Sequence, residues 1–200
     1  LYHIAILTPD RPALARSLRR PVDVGYPLQG ASDHLVSEAL YLADPDGNGL
    51  EIYRDRPRAD WPHMGDMVRM DTLPLDVQAL YDEAVAADLP WTGLERATHL
   101  GHVHLQVADL AAAVAFYSEV IGFDVMIQMG QSAAFLSAGG YHHHLGLNTW
   151  AGVGAPPPPP DAVGLRGYTI VLPDAAERER VLARLGAANV AITDHEGMPA

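Results

Sequence analysis

Apolar residues and helix-start residues follow each other in the same order at two places in the chain. Residues 3–10 read His-Ile-Ala-Ile-Leu-Thr-Pro-Asp, and residues 102–109 read His-Val-His-Leu-Gln-Val-Ala-Asp. In both copies a short apolar stretch that begins with histidine is typical of a strand, and it leads to residues that favour the start of a helix. This internal repeat predicts two copies of one structural unit, each opening with a strand and a helix.

The residues that follow each opening strand indicate where the two helices begin. In the first copy, Thr8 is predicted to cap a helix whose first position is Pro9, with Leu14 and Leu18 one turn apart. In the second copy, Asp109 is predicted to cap the helix. The apolar positions of that second helix recur at helical spacing and are Leu110, Val114, Tyr117 and Ile121.

Strand patterns follow both predicted helices. In the first copy, residues 37–43 and 50–53 flank the sequence Asp-Pro-Asp-Gly-Asn-Gly, whose residue types favour a tight reversal and predict a hairpin. The second copy has three strand-like stretches, residues 123–129, 133–138 and 143–148. Each unit therefore runs strand, helix and two or three strands. The predicted fold class is α+β, with tandem βαβββ modules that form curved, cupped mixed sheets.

The composition of the intervening segments predicts the domain boundaries. The two modules are expected over residues 1–57 and 99–150, joined by a connector over residues 58–98 with one amphipathic helix at residues 77–87. Residues 151–164 contain five consecutive prolines, which lack amide donors and have a fixed φ. This segment is predicted to be an extended surface spacer.

A partial third module is predicted over residues 165–200. It has a strand-like stretch at residues 168–172, a helical pattern at residues 175–188 and another strand-like stretch at residues 190–193, but no histidine at its start. The chain begins on a strand-like stretch without methionine and stops soon after another such stretch. We interpret the sequence as a fragment that is truncated at both ends.

Composition and charge limit the class of partner. The chain has 48% hydrophobic and 19% charged residues, which is typical of a folded domain. Its net charge of -12 repels phosphate, so neither nucleic acid nor an anionic membrane is an expected partner. No apolar run approaches the roughly 20 residues of a membrane-spanning helix. The absence of cysteine excludes a disulfide framework and a cysteine nucleophile, and the predicted location is cytoplasmic.

His3 and Glu51 are candidate metal ligands. His3 lies on the first predicted strand, and Glu51 lies directly after the first hairpin turn. Histidine and carboxylate are the ligands of the divalent site with two histidines, one carboxylate and open positions, and a curved sheet can bring both strands to one concave face. A histidine packed in the core and a glutamate facing solvent explain the same pattern.

His34 and Tyr41 are candidates for proton transfer and for holding a substrate oxygen. Histidine titrates near neutral pH, and a phenol can donate a hydrogen bond to an anionic oxygen. The alternatives are a loop histidine bonded to Asp33 or Ser32, and a tyrosine that only packs.

Two further groups of histidines have the alternate spacing that a strand needs to bring side chains together. His102 and His104 would share one face of a strand, and of the run at residues 142–144 only His142 and His144 would converge. Chance placement explains some of these residues, because the chain has 10 histidines. The sequence contains no nucleophile elbow, phosphate loop or dinucleotide-binding fingerprint.

Several of these stretches together resemble the vicinal oxygen chelate superfamily, which includes glyoxalase I, fosfomycin-resistance proteins and type I extradiol dioxygenases. The resemblance covers nearly the whole chain and is most specific in residues 44–53, Asp-Pro-Asp-Gly-Asn-Gly-Leu-Glu-Ile-Tyr. Residues 101–105 (Gly-His-Val-His-Leu) and 137–144 (Ser-Ala-Gly-Gly-Tyr-His-His-His) are similar to the catechol-2,3-dioxygenase-like bacterial subgroup.

The resemblance implies a fold of paired βαβββ modules and a metal held by two histidines and one glutamate. His3 matches the ligand on a first strand, and Glu51 matches the ligand on a last strand. It implies Fe(II), with Mn(II), Zn(II) or Ni(II) as alternatives. His34 resembles a histidine that assists proton transfer and oxygen activation, and Tyr41 resembles an active-site tyrosine.

The resemblance leaves the source of the second histidine ligand open. The pairing in such enzymes implies a partner module before Leu1. His102 occupies the equivalent strand position in the next module and would be the ligand if the modules pair differently, and His144 could contribute in the same way.

The function implied is extradiol ring cleavage of a catechol-type aromatic diol with O2. One alternative is a glyoxalase-like metal-dependent isomerase or lyase, and another is a small-molecule binding module without activity. A small aromatic substrate, O2 and a second copy of the chain in a homo-oligomer are the expected partners.

Overall fold

The first module is a strand, a helix and three further strands in the computed structural model, which describes residues 1–65, 67–88 and 90–193. Its elements are β1 (His3–Thr8), α1 (Arg11–Val24), β2 (Gly30–Asp33), β3 (Ser37–Ala43) and β4 (Gly49–Asp55). The predicted hairpin joins β3 to β4, and the carboxylate of Asp44 accepts hydrogen bonds from two backbone N–H groups inside its turn. The predicted βαβββ order of this module is confirmed.

The connector contains short strands and the predicted amphipathic helix. Its elements are a 3-10 helix (Arg58–Asp60), β5 (His63–Met64), β6 (Met67–Val68), β7 (Leu73–Pro74) and α2 (Val77–Ala86). Helix α2 begins where the side chain of Asp76 accepts the N–H of Ala79. It packs against α1 through the buried Leu80 and Ala84, so the connector covers the first module.

The second module repeats the order of the first. Its elements are β8 (His99–Gln106), α3 (Leu110–Ala115) continued by a π-helical segment (Phe116–Ile121), β9 (Asp124–Met129), β10 (Ala133–Ser137) and β11 (Leu145–Asn148). The three closing strands were predicted from the sequence, but β11 begins two residues later than expected. The residues at 142–144 therefore lie in the loop between β10 and β11 and not on a strand.

Aspartates cap both repeat helices. Asp10 accepts the N–H of Ala13 at the start of α1, and Asp109 accepts the N–H of Ala112 at the start of α3. The prediction that Thr8 caps the first helix is wrong. Thr8 is still paired in β1, and its buried hydroxyl donates to the carbonyl of Tyr53, so the helix begins two residues later than expected.

The two modules join through their first strands into one curved mixed sheet of nine strands. The order across the sheet is β7-β2-β3-β4-β1-β8-β11-β10-β9. Within the modules, β1 pairs with β4 and β8 pairs with β11 in parallel, whereas β1 and β8 are antiparallel. The register of β1 and β8 shifts after Ala5, where β8 has one extra residue. The predicted α+β fold with tandem modules and a cupped mixed sheet is confirmed.

The helices cover one face of this sheet and leave the other face to form a cup. Residues that alternate along a strand point to opposite faces. On β3, Leu40 packs beneath α1 with Leu14 and Leu18, whereas its neighbours Ala39 and Tyr41 contact the opposite cluster. Burying each of these leucines stabilises the fold by roughly 2 kcal/mol relative to exposure. The cup face can therefore carry polar side chains.

The third predicted module is only partly borne out. Helix α4 (Ala175–Ala187) is present at the predicted place, whereas residues 168–172 and 190–193 do not form strands. Side chains attach this segment to the second module: the hydroxyl groups of Tyr168 and Tyr117 are 2.7 Å apart, and Arg184 donates to the carbonyls that end the π-helical segment. The prediction of two strands was wrong: residues 168–172 and 190–193 form no backbone hydrogen-bond ladder with another strand, and the segment is attached to the second module through side chains. The domain boundaries stay predictions, and residues 194–200 lie outside the described part.

No helix in the described ranges is both long and apolar enough to cross a membrane.

Candidate metal centre

Three neighbouring strands bring a carboxylate and two imidazoles together on the cup face. The possible ligand atoms of His3, Glu51 and His102 all lie within 4.8 Å of one another, and all three residues are buried. The sheet register explains this convergence: Ala5 of β1 is paired with Glu51 on one side and with His102 on the other. His3 lies two residues before Ala5 and shares its face.

The contacts inside this cluster leave imidazole nitrogens without partners. The Nε2 atom of His102 is 3.2 Å from Oε2 of Glu51 and makes a hydrogen bond. The Nε2 atom of His3 is 3.0 Å from the same oxygen, but the geometry is not that of a hydrogen bond, and this nitrogen is buried without a partner. A buried unpaired polar atom costs about 1–3 kcal/mol, so an unpaired nitrogen that faces a carboxylate favours a bound cation. The residues present therefore fit a divalent metal.

The charges of the cluster are those that a metal requires. Burial raises the pKa of Glu51, but the charge of His102, its hydrogen bond to Glu51 and the nearby imidazole of His3 outweigh the effect of burial, and the pKa is lowered overall. Burial lowers the pKa of His102. An ionised carboxylate and a neutral imidazole are the forms that coordinate divalent cations.

His34 and Tyr41 form a hydrogen-bonded pair on the same face. Tyr41 is the cross-strand partner of Glu51, and its hydroxyl lies 2.7 Å from Nε2 of His34. Nδ1 of His34 lies 2.8 Å from the carbonyl oxygen of Asp71. A carbonyl only accepts, so Nδ1 carries the hydrogen and Nε2 accepts from the tyrosine hydroxyl. Burial, followed by the charge of Glu51, raises the pKa of Tyr41, which therefore keeps its proton.

A cavity of about 720 Å³ lies at this face. His3, Glu51, His34 and Tyr41 contribute polar groups to its lining. Apolar and aromatic residues complete the lining, and they are Tyr2, Ile127, Met129, Phe135 and Trp150. The cavity thus combines a few polar groups with apolar walls, as small-molecule sites do.

His104 also borders the cavity, next to the cluster. Its ring centroid is 4.8 Å from that of His3. His104 therefore lies on the cup face together with His102, and the prediction that these two histidines share one face of a strand is confirmed. The amide of Asn148 donates to its Nε2 atom, and burial lowers the pKa of His104 to about 3. His104 is a neutral neighbour of the cluster and not one of its members.

The histidine run does not supply a ligand to the cluster. The residues lie in a loop, so the expectation that only His142 and His144 converge is wrong: Nδ1 of His142 is 2.8 Å from Nδ1 of His143. His144 turns to Ser137, whose hydroxyl lies 3.1 Å from its Nδ1, and it is not among the three clustered residues. His143 is the member that lines the cavity.

Sequence reasoning did not single out Asp55 or His143, which both contact His142. Asp55 ends β4, and strand alternation places it on the same face as Glu51. That alternation was a usable signal for Asp55. Nothing local singled out His143, because its place depends on a loop.

Comparison with known proteins gives the family. Residues 99–197 match the model of the Glyoxalase/Bleomycin resistance protein/Dioxygenase superfamily. Over 199 residues the chain is 50% identical to a Bacillus subtilis (strain 168) protein named catechol-2,3-dioxygenase, and the match covers 98% of this chain and 68% of the relative. The chain belongs to this superfamily. The family membership that the sequence motifs implied is thereby confirmed.

Two solved structures are similar to nearly the whole of this chain at low identity. The Mn(II)-bound glyoxalase from Novosphingobium aromaticivorans is 19% identical with a TM-score of 0.34, and the match covers 94% of this chain. BphC, a halotolerant catechol dioxygenase, is 19% identical with a TM-score of 0.33, also over 94% of this chain. The chain spans about half the length of these solved proteins, 51% and 56% respectively.

Proposed function

We propose that this chain carries the catalytic centre of a metal-dependent extradiol dioxygenase that cleaves a catechol-type aromatic diol with O2. The observation that carries the proposal is the buried cluster of His3, Glu51 and His102, of which His3 and Glu51 line the cavity. Two histidines and one carboxylate with open positions are the ligand set of non-haem iron oxygenases. The relative named catechol-2,3-dioxygenase supports the same activity.

The cluster has the donors and the charge for the proposed metal. His3, Glu51 and His102 would hold it, and Fe(II) is the proposed ion, with Mn(II), Zn(II) and Ni(II) as alternatives that the same donors accept. When bound, the metal would lower the pKa of a diol hydroxyl and offer open positions for the diol and O2.

His34 and Tyr41 are proposed to handle protons and substrate oxygen. Because Nε2 of His34 carries a lone pair toward the cavity, it can accept a proton from the diol once the tyrosine hydroxyl turns away. Tyr41 keeps its proton and can then donate a hydrogen bond to the ionised substrate oxygen. Their contact holds both groups in place before substrate binds.

The aromatic side of the cavity is proposed to orient the substrate ring. Phe135 and Trp150 present faces and edges against which an aromatic ring can pack, and such contacts contribute about 0.5–1.5 kcal/mol beyond burial of area. An aromatic substrate packed there would displace water from the polar groups of the cavity, which strengthens the electrostatic interactions between them.

The decisive experiment measures oxygen consumption and ring cleavage by the protein after loading with Fe(II) under anaerobic conditions. We expect O2 uptake with catechol in equal amount to the ring-opened product, and none after treatment with a chelator. Loading with Mn(II), Zn(II) or Ni(II) in parallel tests which ion supports turnover. Glyoxalase-like turnover without O2 uptake, or ligand binding that chelation leaves unchanged, would contradict the dioxygenase proposal.

Substitution of the cluster tests whether these residues hold the metal. We expect His3→Ala and Glu51→Gln to lose stoichiometric metal and at least a thousandfold in kcat, with the circular dichroism spectrum retained. His99→Ala is the matched control, because His99 is an exposed histidine at the start of β8. Full metal content in both cluster variants would exclude the proposed ligand set.

A further inference from the structure

Asp55, His142 and His143 form a row that leads from the end of β4 to the cavity. The Nε2 atom of His142 lies 2.8 Å from Oδ1 of Asp55, and its Nδ1 lies 2.8 Å from Nδ1 of His143. We propose that Asp55, acting through His142, fixes the hydrogen of His143 on Nδ1 so that Nε2 presents a lone pair to the cavity. Asp55 and His142 are then positioning residues for His143.

The surroundings hold the middle of the row in one orientation. The side chain of His142 is fully buried. Its ring packs against Tyr141, at 4.0 Å between centroids, and against Trp61, at 5.3 Å. A ring confined in this way cannot exchange its two nitrogens by rotation without disturbing both aromatic neighbours.

The proton assignment follows from what each group can donate. A carboxylate only accepts, so Nε2 of His142 must carry the hydrogen that faces Asp55. A neutral imidazole has one N–H, and Nδ1 of His142 is therefore the acceptor. The contact between the two Nδ1 atoms then requires Nδ1–H on His143. The remaining nitrogen, Nε2 of His143, has the lone pair.

The position of His143 at the cavity allows its Nε2 lone pair to accept a hydrogen bond from a ligand. His143 lines the cavity, and its ring centroid is 4.1 Å from that of His102 and 5.0 Å from that of Phe135. Its Nε2 atom has no hydrogen-bond partner among the residues that the structure describes. An acceptor here favours a ligand that brings a hydroxyl group to His143. This last step rests on the proposed function, whereas the proton assignment rests on the contacts alone.

The alternative, in which His143 carries its hydrogen on Nε2, requires a positive charge on His142. If His142 carried two hydrogens, Nδ1–H would donate to His143, and Nε2–H of His143 would face the cavity. A cation next to the ionised Asp55 would be an ion pair, but it would also be an imidazolium packed between buried rings. Burying a charge costs more than burying a hydrogen-bonded neutral ring, so the neutral row is favoured.

Nitrogen-15 NMR of the histidine rings tests the assignment in the chelator-treated protein, without substrate or O2. Protonated and unprotonated ring nitrogens have well-separated shifts, and spectra of His142→Gln and His143→Gln identify the signals. We expect one protonated nitrogen on each ring, Nε2 on His142 and Nδ1 on His143. Two protonated nitrogens on His142, or a protonated Nε2 on His143, would overturn the proposal. The positions of the hydrogens are measured in the wild-type protein, and the variants serve only to assign the signals.

Removing the carboxylate of Asp55 tests whether this residue fixes the hydrogen of His143 on Nδ1. We expect Asp55→Ala to give His143 averaged shifts of the two tautomers, whereas Asp60→Ala, which removes an exposed carboxylate five residues away, leaves the spectrum unchanged. In the loaded enzyme we expect about a tenfold loss of kcat for Asp55→Ala and partial recovery for Asp55→Glu. Unchanged His143 shifts in folded Asp55→Ala would contradict the role of Asp55. If the NMR result is as expected but no dioxygenase activity is found, only the proposed function fails.

Discussion

At the scale of single residues, the space at the candidate centre depends on one small side chain. Ala5 is fully buried on the cup face, where it packs with Ala39 and Tyr53. It is also the residue that pairs with both Glu51 and His102. Its small side chain therefore leaves room on the cup face between the side chains of Glu51 and His102.

We expect the larger side chain of Ala5→Leu to fill the space on the cup face beside Glu51 and His102. The larger side chain should weaken metal binding at least tenfold, because it enters the space between the ligand atoms, and overpacking should cost about 1–3 kcal/mol of unfolding free energy. Isothermal titration of the metal-free protein with Mn(II) measures the affinity, and urea unfolding measures the stability. Ala5→Ser, which adds one atom, is the control and should bind normally. Equal affinities for all three proteins would show that the ion does not bind here.

At the scale of elements, a buried carboxylate ties helix α1 to the sheet beneath it. Glu38 of β3 lies on the helix side of the sheet and accepts hydrogen bonds from the guanidinium groups of Arg11, Arg54 and Arg56. Arg11 is the first residue of α1, so the contact fixes where the helix begins above the strands. Arg11 also contacts the exposed Glu83 of α2 and joins the two helices.

The charge of Glu38 predicts acid sensitivity. Burial raises the pKa of Glu38, but hydrogen bonds and charge from Arg54 and Arg11 outweigh it, and the pKa is lowered from 4.5. Because the folded-state pKa is the lower one, the stabilisation is complete above about pH 4.5 and is lost as the pH falls through the folded-state pKa. We expect Glu38→Gln to cost about 2 kcal/mol at pH 7, because it removes the buried charge that accepts hydrogen bonds from three partly buried guanidinium groups.

Urea unfolding at pH 7 and pH 3 measures both effects. The difference between the wild-type protein and Glu38→Gln should shrink toward the lower pH. Glu179→Gln on α4 is the control, because Glu179 is exposed, and it should change stability little at either pH. A difference that stays constant with pH would mean that Glu38 contributes packing and not charge.

At the scale of the whole molecule, the candidate centre exists because the two modules pair through β1 and β8. Gly101 lies at the register shift of this pairing, where a Cβ atom would come within 1.9 Å of the hydroxyl of Tyr53. That hydroxyl in turn lies 2.9 Å from the hydroxyl of Tyr141 in the other module. The missing side chain of Gly101 therefore allows Tyr53 to lie close against β8.

We expect Gly101→Ala to disturb the pairing of the modules. Tyr53 is fully buried and cannot move aside, so the added methyl group should cost about 2 kcal/mol of stability and displace His102, with loss of metal binding. Thermal unfolding and metal content provide the two measurements. Gly186→Ala in α4, where a Cβ atom would meet nothing within 4 Å, is the control and should be neutral or stabilising by up to about 1 kcal/mol. Retention of stability and metal in Gly101→Ala would contradict the role of this contact.

Local patterns were sufficient for most elements and for the chemical type of the site. Alternation and helical spacing predicted the helices of both modules and their strands except the short β2 (Gly30–Asp33), because these depend on residues a few positions apart. The cap of the first helix was misplaced, because Thr8 bonds to Tyr53 on another strand. The strand at residues 168–172 was wrong for a related reason, since a strand needs a partner that the local pattern does not show.

By itself, the sequence determined the repeated module and the presence of His3 and Glu51 at matching strand positions. Only the tertiary structure decided that His102 completes the cluster and that His143, not His144, faces the cavity. Both outcomes depend on contacts between residues far apart in the chain: the antiparallel pairing of β1 with β8 and the path of a loop across β4. Such contacts are selected by the packing and hydrogen bonding of the whole sheet, which no short stretch of sequence contains.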